Sequence, residues 1–120
     1  MYNVIFYEDA RGRNPVDSFV TSLDKKAQKS KDAKIQLAQF TYQIDVLERL
    51  GTRAPSEIVK PLRDGIWELR PGKNRILLCS WNGNNFVLLH QFRKETGKTP
   101  TEAIERAKKR MQDWVRRHGN

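Results

Sequence analysis

Two dipeptides, Pro71-Gly72 and Asn82-Gly83, cut the stretch from residue 65 to residue 98 into three β-like runs, 65–70, 74–81 and 86–94. Proline presets the first corner of a tight turn, and Asn and Gly tolerate the positive φ that such turns need. Runs joined in this way must double back on one another, so this third of the chain reads as an antiparallel meander. Its cations stand where strands end or begin: Arg70, Arg75, Arg93 and Lys94. Rigid strands hold their end residues in fixed places, so these charges form a patch suited to a polyanion. One imidazole, His90, lies in the same stretch.

The flanking segments supply helices. Residues 2–7 have the β-branched and aromatic content of a strand. Asn14-Pro15 reads as an N-cap followed by the first helical residue, with Asp17 in the first turn and Val16, Phe19, Val20 and Leu23 on one stripe. Asp24 reads as the cap of a second, longer helix ending at Leu50, with Gly51 just beyond it. That helix is apolar on two sides, with Ile35, Ala38, Tyr42, Val46 and Leu50 nearly opposite Leu37, Phe40, Ile44 and Leu47. Two covers are therefore expected, the sheet on one side and the first helix or a partner protein on the other. Residues 58–62 read as an edge strand, because Pro61 cannot donate to a ladder. Thr99-Pro100-Thr101-Glu102 has the form of a capping box. The helix it opens carries Ile104, Ala107, Met111, Trp114 and Val115 on one stripe and a basic opposite face. The expected class is α+β: a curved antiparallel sheet of about four to five strands, packed on an N-terminal helical hairpin and a C-terminal helix.

At 120 residues the chain is the size of a single domain, 1–120. Its formal charge is +9, from 23 Lys and Arg against 14 Asp and Glu, which favours nucleic acid or an acidic partner over a neutral ligand. The one cysteine, Cys79, has no partner for a disulfide or a metal site and reads as a small packed hydrophobe. No apolar run approaches the roughly 20 residues of a membrane span. The apolar start at Val4-Ile5-Phe6 meets Glu8-Asp9 too soon for a signal peptide. A cytoplasmic protein with no membrane contact is expected.

Strand parity sorts the chemistry. Arg75, Leu77 and Cys79 share a face, as do Phe86, Leu88, His90, Phe92 and Lys94, and Glu68 points with Arg70. If helices cover Trp67, Leu69, Ile76, Leu78, Val87 and Leu89, then Arg70, Arg75, His90 and Lys94 meet on an open face. Such a cluster is the electrostatic provision for a phosphoryl transition state. There is no Gly-rich phosphate loop, no Cys/His pair at metal spacing and no Gly-x-Ser-x-Gly, so catalysis by side chains without metal or cofactor is expected.

Several words of the chain occur together in one known group. They are Leu62-Arg63-Asp64-Gly65-Ile66-Trp67-Glu68-Leu69-Arg70, then Asn74-Arg75-Ile76-Leu77, then Val87-Leu88-Leu89-His90-Gln91-Phe92-Arg93-Lys94-Glu95-Thr96, then Lys98-Thr99-Pro100. With the helical hairpin after Asn14-Pro15-Val16, the chain resembles the RelE/ParE superfamily of type II toxins, in its HigB-like, phage-derived branch. The resemblance implies a RelE-like fold and a metal-independent endoribonuclease that cuts mRNA, usually in the ribosomal A site. There the RNA's own 2′-hydroxyl attacks the adjacent phosphate. It also implies a cognate antitoxin, commonly a helix-turn-helix DNA-binding protein, through which alone the toxin meets operator DNA. Carried over by position, the superfamily's site arginines fall on Arg70 and Arg75 and its strand-ending basic residue on Lys94. His90 precedes Lys94 on the same face as a possible proton-transfer group, and the general acid and base stay open. Lys60, Arg63, Lys73, Arg93 and Lys98 are then expected to hold flanking RNA. Two other readings share these features: a ParE-like toxin that poisons gyrase, and a basic nucleic-acid-binding module without catalysis.

Overall fold

The computed structural model describes residues 1–95 and 97–120; Thr96, which ends one of the words quoted above, lies outside the described residues. In chain order the elements are β1 (Asn3–Phe6), α1 (Pro15–Ala27), α2 (Lys31–Leu50), a short 3₁₀ turn (Gly51–Arg53), β2 (Val59–Pro61), β3 (Trp67–Leu69), β4 (Asn74–Trp81), β5 (Asn85–Arg93) and α3 (Thr101–His118). The strands form one sheet in the order β1-β5-β4-β3-β2. Four strands make the antiparallel meander, whose edge is the Pro61 strand. β1 joins β5 in parallel, with Asn3 opposite Asn85 and Phe6 opposite Leu88, so the sheet is mixed at that edge. The fold is α+β, with helices flanking the sheet. The β4–β5 turn places both Asn82 and Gly83 at positive φ (48° and 83°), the conformation for which that dipeptide is suited.

The two faces of the sheet are covered by different helices. Phe40, Val46 and Leu47 of α2 and Val16 of α1 pack on Leu69, Ile76, Leu78, Phe86 and Leu88. Ala103, Ile104, Ala107 and Trp114 of α3 pack on Leu77, Cys79, Val87 and Leu89 from the other side. The expected open face is therefore not open, because α3 lies across it. The parity of β5 also differs from expectation. A β-bulge between Leu77 and Leu78 pairs Leu77 with His90 but Leu78 with Leu88, leaving Leu89 as the extra residue. Side chains before and after the bulge thus switch faces. Phe86 and Leu88 face the hairpin, while His90 and Phe92 join Arg75 and Leu77 on the side of α3.

The helical hairpin also departs from the sequence reading. Leu23 and Ala27, one turn apart, are both buried, so α1 continues past Asp24. Ser30 caps α2 instead, its hydroxyl accepting from the Ala33 N–H at 3.2 Å. Of the two apolar faces of α2, one is covered, whereas Ile35, Tyr42 and Leu50 stay exposed. At its far end α3 is tied to β1 through Asp113. That carboxylate accepts from the Tyr7 hydroxyl at 2.7 Å and from Arg116 and Arg117. Arg117 and Tyr7 together hold the Asp113 carboxyl down to about 2. Among the described residues, no helix is long and apolar enough to cross a membrane.

Candidate functional site: a cationic cleft at one end of the sheet

Register brings the charged side chains into two rows on the α3 side. Lys60 pairs with Glu68, Glu68 with Leu77, and Leu77 with His90. One step nearer the strand ends, Arg75 pairs with Phe92, and continuing the β3–β4 register sets Arg70 across from Arg75. Lys94 follows Phe92, its N–H donating to the Lys73 carbonyl at 2.7 Å. The N-terminus of α3 covers only part of these rows, because the chain first runs through residues 97–100. Between that segment and β2–β3 lies a cleft of about 310 Å³, lined by Lys60, Arg63, Glu68, Arg70, Arg75, Lys94 and Lys98, with Phe92, Thr99 and Ile104. Six of these side chains are cationic and one is a carboxylate. A shallower groove lined by Ser56, Glu57 and Gly72 shares Lys60, Arg70 and Arg75 with it, so the positive surface extends past β2.

Glu68 organises the floor of the cleft. It is 3% exposed, and both of its oxygens are engaged. The Thr99 hydroxyl donates to Oε2 at 2.5 Å, while Oε1 lies 3.5 Å from Arg70 Nε and 3.9 Å from Arg75 Nε. Thr99, read from sequence as half of a capping box, spends its hydroxyl here; α3 has no side-chain cap. A buried carboxylate between two guanidiniums is the stronger acceptor. The two arginines are held differently. Arg75 is 7% exposed and its Nη1 donates to the carbonyls of Gly72 (2.7 Å) and Asn74 (2.8 Å), so it pins the turn before β4. Burial, then the charge of Arg70, lowers its pKa, and Glu68 opposes them. Arginine keeps its proton regardless. Among the described residues the Arg70 side chain has no hydrogen-bond partner: its solvent-shielded Nε lies 3.5 Å from Glu68 Oε1 but finds no acceptor in hydrogen-bond geometry. Its backbone, in contrast, is clamped. The buried carboxamide of Gln43 on α2 accepts from the Arg70 N–H and donates to the Arg70 carbonyl, both at 3.0 Å. A positioned guanidinium with unspent donors is a ready anion site.

His90 is not in this cleft. Its ring stacks beside Phe92, with centroids 5.9 Å apart and planes 26° apart, and lines a second depression on the far side of that phenyl. Its Nδ1 lies 3.0 Å from Nη1 of Arg110, which also donates to the Leu89 carbonyl. Burial first, then the charges of Arg110 and Arg106, pushes the imidazole down to about 4. It is therefore neutral at pH 7. An unfolded histidine takes up its proton near 6.5. Between about 6.5 and 4 the unfolded chain binds a proton that the folded chain refuses, so His90 makes stability fall as pH falls across that window. Urea-denaturation midpoints measured from pH 7 to pH 4 should decline more steeply for the wild type than for His90→Phe. Equal slopes would contradict the buried, neutral imidazole.

Of the residues singled out from sequence, Arg70, Arg75 and Lys94 meet in the cleft, and Lys60, Arg63 and Lys98 line it with them. Lys73 stands exposed on the turn beside it. Arg93 turns to the hairpin face, where its Nη1 donates to Gln36 at 3.0 Å, beside the Gln91–Asn74–Gln36 hydrogen bonds. Glu68, Thr99 and Gln43 were not read as site residues. Glu68 had a signal, since it shares a strand face with Arg70. Gln43 had a weaker one, a polar residue among the buried positions of α2.

Residues 30–112 match the family model described as phage derived protein Gp49-like (DUF891). The chain belongs to this Gp49-like family. The family is toxin-like, of RelE/Gp49 type. The match runs from the cap of α2 almost to the end of α3, so it takes in every residue of the cleft as well as Gln43. No curated protein sequence matches the chain.

Proposed function

We propose that this Gp49-like protein is an mRNA endoribonuclease of the HigB-like kind, the toxin of a type II toxin–antitoxin pair, acting on mRNA in the ribosome. The observation that carries the reading is the cleft itself. Six cations surround one buried carboxylate there, and the Arg70 guanidinium forms no hydrogen bond with the described residues. That charge excess suits a phosphodiester better than a protein surface, which has no need of it. In the proposed reaction the 2′-oxygen attacks the adjacent phosphorus, its proton leaves, and the bond from phosphorus to O5′ breaks. O5′ takes a proton, leaving a 2′,3′-cyclic phosphate and a 5′-hydroxyl. Arg70 binds the non-bridging oxygens, whose charge grows in the transition state. Lys94 stands at the leaving O5′. Arg75 adds positive charge from beneath, and Lys60, Arg63 and Lys98 hold the flanking strand. The proton-transfer role considered for His90 gains no support from its place behind Phe92. A small antitoxin, of helix-turn-helix type, is the proposed partner that blocks the cleft, and the cytoplasm is the proposed site of action.

Purified protein incubated with programmed ribosomes should yield mRNA fragments ending in 2′,3′-cyclic phosphate, located by primer extension. If mRNA stays whole while induced cells accumulate DNA breaks, the gyrase-directed reading replaces this one. If RNA is bound with steep salt dependence but never cut, the protein is a binding module.

A further inference from the structure

The turn from Arg70 to Arg75 joins the two arginines of the cleft, and one row of α2 holds it from the hairpin side. Gln36, Gln39 and Gln43 stand at i, i+3 and i+7, so their side chains share a helix face. They meet the turn in order. The Gln43 carboxamide accepts from the Arg70 N–H and donates to the Arg70 carbonyl, both at 3.0 Å. Gln39 lies against Gly72, where an added Cβ would run into its Oε1. Gln36 accepts from the Asn74 side chain at 2.9 Å and from Arg93 at 3.0 Å, and Asn74 in turn accepts from Gln91. Residues 70, 72 and 74 thus each have one glutamine. From the cleft side, Arg75 donates to the carbonyls of Gly72 and Asn74, so the turn is fixed between a helix and a guanidinium.

The three glutamines act differently. Gln39 serves by shape, since Gly72 at φ 61° takes no side chain without strain. Gln36 holds side chains. Gln43, 9% exposed, holds the main chain at Arg70 itself. The Arg70 N–H has a second acceptor in the Ile58 carbonyl at 3.0 Å, whereas the Arg70 carbonyl takes its hydrogen bond from the Gln43 amide.

We propose that Gln43 is a positioning residue of the reaction, setting where the Arg70 guanidinium stands, with Gln39 and Gln36 fixing the rest of the turn. The inference rests on the ribonuclease reading. Among the described residues no hydrogen bond fixes the Arg70 side chain at its tip, and Glu68 Oε1 is 3.5 Å from its Nε. Its place is therefore decided at its root, by the main chain of residue 70. A donor that meets phosphoryl oxygens as their charge grows must stand in place beforehand, and a displacement of about 1 Å is enough to cost much of the rate. Gln43 lies on the hairpin side of the sheet, away from the cleft, and acts through Arg70.

The test is single-turnover cleavage by the full-length protein over a range of programmed-ribosome concentrations, paired with urea denaturation. Gln43→Met keeps the length of the side chain and removes both hydrogen bonds. It should lower the rate at saturation about tenfold and leave the half-saturating concentration within about twofold. In the Arg70→Ala background the same change should cost less than about twofold, because the group it places is gone. Phe40→Leu, a core change on the same helix, should lower the urea midpoint without that loss of rate. If Gln43→Met fails to fold, Gln43→Asn, one methylene short of the turn, is read by the same criteria. A folded Gln43 variant cutting within about twofold of the wild type overturns the positioning role while the ribonuclease stands. An equal loss with and without Arg70, or the same loss in Phe40→Leu, does so too. A raised half-saturating concentration at an unchanged maximal rate would place Gln43 in RNA binding, and the inference fails. Absence of any cutting by the wild type removes the ribonuclease reading and the role of Gln43 with it.

Discussion

Replacing Arg70 with Ala should lower single-turnover mRNA cleavage by about 10²–10³-fold, the usual cost of removing one preorganised donor to a transition-state oxyanion. The fold should survive. The Arg70 side chain makes no hydrogen bond with the described residues, and after its loss Glu68 still has Arg75 Nε at 3.9 Å and the Thr99 hydroxyl at 2.5 Å. The backbone clamp from Gln43 needs only the main chain of residue 70, which Ala provides. Removing one of two neighbouring guanidiniums also relieves their mutual repulsion, which contributes to the lowered pKa of Arg75. Arg70→Lys should fall between wild type and Ala, because an ammonium keeps the charge and loses the planar two-donor fork. Cleavage rates on programmed ribosomes, paired with urea denaturation of the same preparations, separate the two effects. A folded Arg70→Ala protein cutting within about threefold of the wild-type rate would remove Arg70 from the reaction. Arg75→Ala is a poorer probe, since it also frees the turn carbonyls of Gly72 and Asn74.

What the chain disclosed in advance followed from local chemistry. Pro71-Gly72 and Asn82-Gly83 set the meander, Asn14-Pro15 opened α1 with the Asn14 side chain accepting from the Asp17 N–H, and Gly51 closed α2. The clustering of Arg70, Arg75 and Lys94 was also legible, because strand ends are where a sheet gathers charge. Features decided by tertiary contacts were not legible. Leu88-Leu89-His90 alternates no differently with a bulge than without one, yet the bulge sets which face His90 and Phe92 occupy. Thr99 fits a capping pattern and a carboxylate partner equally well in sequence; only the approach of β3 to residues 97–100 brings Glu68 within reach. Nor does any local rule reveal that α3 covers the face on which the cations were expected to lie. The site is accordingly a cleft at the sheet's end and not an open surface.

Glu68 should prove the most expensive single residue of the cleft to remove. Its carboxylate is 3% exposed and balances two guanidiniums, one of them 7% exposed. Taking away one partner of a buried ion pair leaves a charge with neither solvent nor counter-ion, at a typical cost of about 3–5 kcal/mol. Against the roughly 5–15 kcal/mol that holds a domain folded, Glu68→Ala should lower the urea midpoint severely. Glu68→Gln should lie between, since an amide oxygen still accepts from Thr99 but offers Arg75 no charge. The diagnostic comparison is the cycle of Glu68→Ala, Arg75→Met and the two together, in which the Arg75→Met single variant accounts for the turn carbonyls that Arg75 releases. If the loss comes from a stranded guanidinium, the double variant should be less destabilised than the sum of the single variants by about 0.5–3 kcal/mol, the coupling expected of residues in contact. Strictly additive losses would mean that Glu68 acts through packing or through Thr99. Coupling in stability should bring no recovery of RNA cutting, because the double variant lacks the buried charge beneath the phosphate. Stability and activity thus part at this pair, and their separation distinguishes a carboxylate that places Arg70 and Arg75 from one that merely fills space beneath them.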